Sequence, residues 1–144
     1  MYYGQEIYLS GGQDPKNREA LWDHRYRRNR LIKNLNKLRQ IAIFQDSKFI
    51  TTHSSYIYHD DYQLFYQKRK LLVGLNGQGK DRGITPYHLT LHGTPYTPGE
   101  TLIDIVSCES VIAGNGQVVV NMKNGAPVVL YPKSLLAGSR ICRL

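Results

Sequence analysis

The chain has 144 residues, enough for one ordinary domain with a real core and too few for a complete enzyme barrel. Lys and Arg number 19 against 11 Asp and Glu, a net charge of +8, and 13 of the 19 fall in positions 1–72, so any polyanion-binding role rests on the N-terminal half. No apolar run reaches the roughly 18 residues of a membrane span, and the start Met1 to Glu6 has neither the basic nor the apolar region of a signal peptide; the chain reads as soluble, without an export signal of its own.

Positions 2–22 read as a short extended start and then a loop, because Ser10-Gly11-Gly12-Gln13-Asp14-Pro15 is dense in turn formers. Leu31, Leu35, Leu38 and Ala42 then recur at helical spacing, with Ile32 widening the stripe and Asp23 as N-cap. The pattern predicts one helix from about Arg25 to Ile43. Seven Lys or Arg and no acid lie between positions 25 and 39, and a solvated helix face accounts for most of that charge.

After Asp46 the period changes. Phe49 to Thr52, Tyr56 to His59, Tyr62 to Lys68, Leu71 to Leu75, Tyr87 to Leu91, Thr101 to Val106, Val111 to Ala113, Gln117 to Met122 and Val128 to Tyr131 are β-type runs. Asp60-Asp61, Asn76-Gly77, Pro98-Gly99, Gly114-Asn115-Gly116 and Asn124-Gly125 sit where hairpins would reverse. This is a mainly β pattern, an antiparallel sandwich or barrel rather than βαβ units.

Several motifs invite a chemical reading. Gly74 to Lys80 fits G-x4-G-K, but Asp81 stands where a nucleotide site needs Ser or Thr, and Pro86 and a strand follow where it needs a helix. A glycine-rich hairpin loop is the better reading. His88 and His92 share the polar face of a strand with Thr90, and His24, His53 and His59 have no partner at metal spacing. Cys108 and Cys142 are too few for a disulfide-rich scaffold and too far apart for a zinc knuckle; they are two buried thiols or one disulfide. A glycosidase needs two facing carboxylates, which sequence alone does not pair here. Asp14, with Arg18 four residues on, offers paired acceptors and donors to a hydroxyl-rich ligand, with a local ion pair stapling the loop as the alternative.

Tyr3-Gly4-Gln5-Glu6, followed by Gly11-Gly12-Gln13-Asp14-Pro15-Lys16-Asn17-Arg18-Glu19-Ala20-Leu21-Trp22, resembles the eighth strand and following loop of the (β/α)8 barrel of fungal α-amylases, in glycoside hydrolase family 13. Leu35-Asn36-Lys37-Leu38-Arg39 resembles the last barrel helix, and Tyr131-Pro132 with Leu136 to Cys142 resembles the tail of the fungal C-domain. The resemblance implies that residues 1–45 are the final β/α unit of a truncated barrel and that 46–144 form an antiparallel Greek-key β-sandwich C-domain. It implies an enzyme that hydrolyses internal α-1,4 bonds of starch with retention, whose catalytic carboxylates and calcium ligands lie in earlier barrel segments. The chain alone is then expected to be inactive and to bind no metal.

The same resemblance gives Asp14 and Arg18 the role of substrate contacts on the donor side and pairs Cys108 with Cys142 in the single disulfide of the C-domain. It further implies secretion and a monomeric parent acting on α-glucan, with no nucleic-acid or membrane partner. The stripe of Leu31, Ile32, Leu35 and Leu38 is expected to lose most of its barrel partners in this chain, and to drive association unless it repacks on the β-domain. Gln13 where Asn is common, a shorter link between Trp22 and the helix, and the basic helix depart from the fungal pattern. Two other classes compete with this reading. A stand-alone carbohydrate-binding domain would use Tyr56, Tyr58, Tyr62 and Tyr66 as a flat platform, and a polyanion-binding module would use Arg25 to Arg39.

Overall fold

The computed structural model describes residues 9, 12–13, 20, 29–77, 79, 87–123 and 125–144. The expected barrel strand at Tyr3 to Glu6, and Asp14 and Arg18 in the loop after it, lie outside the described residues.

Among the described residues one helix, α1 (Arg30–Gln45), precedes eight strands: β1 (Ser55–His59), β2 (Gln63–Lys68), β3 (Leu71–Asn76), β4 (Tyr87–His92), β5 (Thr101–Asp104), β6 (Ser110–Ile112), β7 (Gln117–Met122) and β8 (Val128–Pro132). The short 3-10 helices Lys133–Leu136 and Ile141–Arg143 close the chain. Six strands form a sheet in the order β1-β2-β3-β8-β5-β6, and β4 pairs with β7 in a second sheet. All the pairings among the described residues are antiparallel. The expected mainly β, antiparallel fold is therefore what the chain adopts.

The six-stranded sheet is covered on both faces. On one side Phe65, Leu72, Leu102 and Leu130 pack against Leu91, Val118, Val120 and Met122 of the β4–β7 sheet. On the other, Val73, Ile103, Val129 and Tyr131 pack with Leu38 and Ala42 of α1 and with Leu136 and Ile141 of the tail. The strand sequences follow from this layering. β8, central and buried throughout, is a continuous apolar run, whereas β7, an outer strand, buries only Val118, Val120 and Met122 in alternation.

Three expectations need correction. The helix starts at Arg30 rather than near Arg25, and its cap is Asn29 rather than Asp23: Asn29 is extended (φ −71°, ψ 116°), and its Oδ1 accepts from the N–H of Leu31 at 2.9 Å and of Ile32 at 3.2 Å. Phe49 to Thr52 is a turn, because Asp46 and Lys48 carbonyls accept from Phe49 and Thr52 N–H groups and the Thr52 hydroxyl adds a bond to Lys48 O at 2.8 Å. β5 stops at Asp104, whose carboxylate takes the backbone N–H groups of Val106 and Ser107 and so bends the chain. The helix stripe takes the repacking alternative in part: Leu38 and Ala42 are 2% and 1% exposed against the sheet, with Leu35 packed beside them, while Leu31 and Ile32 stay half-buried.

A disulfide joins Cys108 to Cys142 across 34 positions, with Cα atoms 5.3 Å apart. Cys108 sits in the turn between β5 and β6, so the bond ties the tail to a turn at the sheet end rather than to a strand.

Candidate functional site

Most of the motifs singled out in the sequence are absorbed by the fold. Gly74, the first glycine of the G-x4-G-K match, is mid-strand in β3 and faces Phe65 of β2. A Cβ there would lie 2.2 Å from Phe65 Cε1. The glycine therefore makes room for an aromatic ring in the core rather than for a phosphate; Lys80 and Asp81 lie outside the described residues. His88, Thr90 and His92 are exposed along β4 while Leu91 is buried beneath them. His53 and His59 are also exposed, and His24 lies outside the described residues. Among the described residues no three His, Cys, Asp or Glu side chains come together.

The four tyrosines do not form one platform. Tyr56, 73% exposed, lies opposite Tyr66 on the face that α1 also covers. An irregularity between Tyr56 and Tyr58 then turns Tyr58 to the opposite core, where its ring meets Phe65 edge-on at 6.2 Å. Tyr62 stands in the β1–β2 turn. A flat sugar-stacking surface needs these rings on one side.

The described carboxylates are mostly committed to the fold. Asp60 Oδ1 accepts from Tyr62 N–H at 2.8 Å and Gln63 N–H at 2.6 Å, closing the β1–β2 turn, and the Tyr62 N–H is the largest influence holding its carboxyl below the ordinary range. Buried Asp104 takes four hydrogen bonds, from Val106, Ser107 (N–H and hydroxyl) and Val129. Glu100 accepts from Thr97 and pairs with Lys70, and Glu109 pairs with Lys123.

One cluster has the composition of a ligand site. Asp46, immediately after α1, forms an ion pair with Arg69 of the β2–β3 turn. That bond, with help from the Lys48 N–H, holds the Asp46 carboxyl below its ordinary range. Nearby, the Tyr131 hydroxyl donates to Gln45 Oε1 at 3.2 Å, and Gln45 Nε2 donates to Leu135 O at 2.8 Å, which fixes the amide. These groups, with Phe49 and Lys70, line a cavity of about 340 Å³. Sequence reasoning missed it, because its members come from five separate places in the chain and share no motif. A second cavity of about 510 Å³ is an apolar groove between α1 and the sheet, and a third of about 560 Å³ lies beside the disulfide with Arg30 and Arg143 on its walls.

Comparison with known proteins gives a consistent likeness. Residues 56–144 match the profile of the family described as alpha-amylase, domain C. Alpha-amylase 1 of Schwanniomyces occidentalis is 39% identical over 99% of this chain, which covers 29% of that protein. The alpha-amylase of Saccharomycopsis fibuligera is 32% identical over 92% of this chain and 27% of its own length. The solved structure of an alpha-amylase from Malbranchea cinnamomea superposes with a TM-score of 0.89 at 35% identity, over 99% of this chain and 31% of that one. The chain thus spans under a third of the length of these relatives and corresponds to their C-terminal portion.

Proposed function

This chain belongs to the α-amylase family, and from that premise we propose that it serves a secreted enzyme that hydrolyses internal α-1,4 bonds of starch and related glucans. The likeness that extends 99% of the way along the chain, beyond the C-domain match and into the first 55 residues, is the observation that carries the reading. On this reading residues 1–45 are the last strand, loop and helix of the catalytic barrel and residues 46–144 are the C-domain.

Asp14 and Arg18 belong to the loop after the closing strand, and active sites of such barrels gather at the C-terminal strand ends. Their carboxylate and guanidinium supply an acceptor and a fork of donors to glucose hydroxyls on the donor side of the scissile bond. The nucleophile, the general acid and the calcium ligands belong to the earlier barrel, and the parent acts as a monomer on α-glucan. The described part of the chain contributes packing: the sheet holds α1 by Leu38 and Ala42, and so holds the end of the barrel.

The test is kinetic. In an enzyme that includes this segment and its barrel, Asp14→Ala and Arg18→Ala each remove a charge-assisted hydrogen bond of roughly 1.5 to 3 kcal/mol. Turnover or affinity for maltooligosaccharides should fall about tenfold or more. Unchanged kinetics in folded variants would assign the two residues to a local ion pair instead.

A further inference from the structure

We propose that the cavity between the end of α1 and the β2–β3 turn is an auxiliary site for α-linked glucose residues, separate from the barrel loop and built from Asp46, Arg69, Gln45, Phe49 and Tyr131. The inference rests on the α-glucan reading for the identity of the sugar.

Its volume, about 340 Å³, stands at the lower end of the range of roughly 300 to 1,000 Å³ for small-molecule sites and takes one or two pyranose rings. Its chemistry is that of a hydroxyl-rich ligand. Arg69 meets Asp46 through Nε alone, so its terminal nitrogens have no hydrogen-bond partner among the described residues. Among the described residues Asp46 Oδ1 takes only the Lys48 N–H, at 3.0 Å, which leaves it lone pairs for a further donor. The pair therefore presents an acceptor and a donor side by side, the arrangement vicinal hydroxyls require.

The remaining walls are fixed before any ligand arrives. Gln45 is held at both ends of its amide, and Tyr131, 3% exposed, is buried in the sheet core. Burial raises the Tyr131 hydroxyl above its ordinary range, so it stays a donor. Phe49 is buried, with Lys68 Nζ 5.0 Å from its ring centre. The buried rings hold the polar groups in place, and a preformed site spends little of its binding energy on ordering. Asp46 remains charged into the acid range because Arg69 holds it so, which keeps the acceptor available there.

The experiment is a maltose titration of the full chain followed by amide NMR and calorimetry, with two variants. Arg69→Gly removes the guanidinium at a backbone φ of 55° that glycine accepts, and Asp46→Asn keeps the shape of the carboxylate. Saturable shifts at 45–49, 69 and 131, with affinity falling roughly tenfold in each folded variant, are expected. Shifts confined to other residues, no saturable response in the millimolar range, or variants that bind like the parent chain would overturn the site. Starch hydrolysis by the enzyme with its barrel is measured in parallel. Hydrolysis without a maltose response here overturns this site alone, whereas lack of hydrolysis overturns the α-glucan reading instead.

Discussion

Asp104 Oδ1 accepts the backbone N–H of Val129 at 2.9 Å, across 25 positions, and so fastens the end of β5 to β8. The other oxygen takes the Ser107 hydroxyl at 2.6 Å, one residue before the disulfide-bonded Cys108. One buried carboxylate thus sets both the β5–β8 junction and the turn that presents the cysteine.

Asp104→Ala should leave several buried or half-buried donors without a partner, at about 1 to 3 kcal/mol for the most buried of them. A fall of roughly 2 to 4 kcal/mol in unfolding free energy is expected from urea titration. Slower or incomplete formation of the disulfide during oxidative refolding should accompany it. A variant as stable as the parent would show that water replaces the carboxylate.

Reduction of the disulfide, or Cys142→Ser, releases a closed loop of 34 positions, which chain-entropy arithmetic values at roughly 3.5 to 4 kcal/mol. The tail carries part of the second core through Leu136 and Ile141. Loss of the bond should therefore speed hydrogen exchange first in the tail and in the turn around Cys108. Equal protection of the tail with and without reductant would contradict this.

Gly74→Ala is expected to destabilise the chain by roughly 1 to 3 kcal/mol or more, since a Cβ overlaps the buried Phe65 ring. Pairing it with Phe65→Leu should recover part of the loss, a coupling that a double-mutant cycle reads directly. Simple additivity would place the cost in the strand backbone rather than in the contact.

The pH dependence follows from two carboxylates and two phenols. Asp46 and Asp60 have folded values below their ordinary 3.8. Their contribution is therefore present above that value and lost as pH falls through the lower folded ones. Tyr96 and Tyr131 are raised above 10.0, chiefly by burial, so stability present below that pH falls as it is exceeded. Thermal unfolding should show both declines, with Asp46→Asn flattening the acid one. An acid limb unchanged in that variant would remove Asp46 from the account.

How much of this was legible in the sequence depended on the range of the interaction concerned. β8 showed itself as a continuous apolar run and β7 as an alternation, because burial on two faces or one leaves that mark. The helix body showed through Leu35, Leu38 and Ala42. Its start did not, since Asp23 and Asn29 are both good cap types and the helix takes the second. The run Phe49 to Thr52 has strand propensity, yet local bonds to Asp46 and Lys48 turn it. The polar cavity was invisible for another reason: Asp46 and Arg69, 23 positions apart, are brought together by the β2–β3 turn rather than by any spacing in the chain.

The central claim, that this chain is the C-terminal portion of an α-amylase whose chemistry resides in the barrel, is tested most directly by starch hydrolysis. Reducing ends should appear when the segment is continuous with its (β/α)8 barrel, and none should appear from the 144-residue chain alone. Reducing-sugar release by the purified chain, abolished by deletion of residues 1–22, would contradict it.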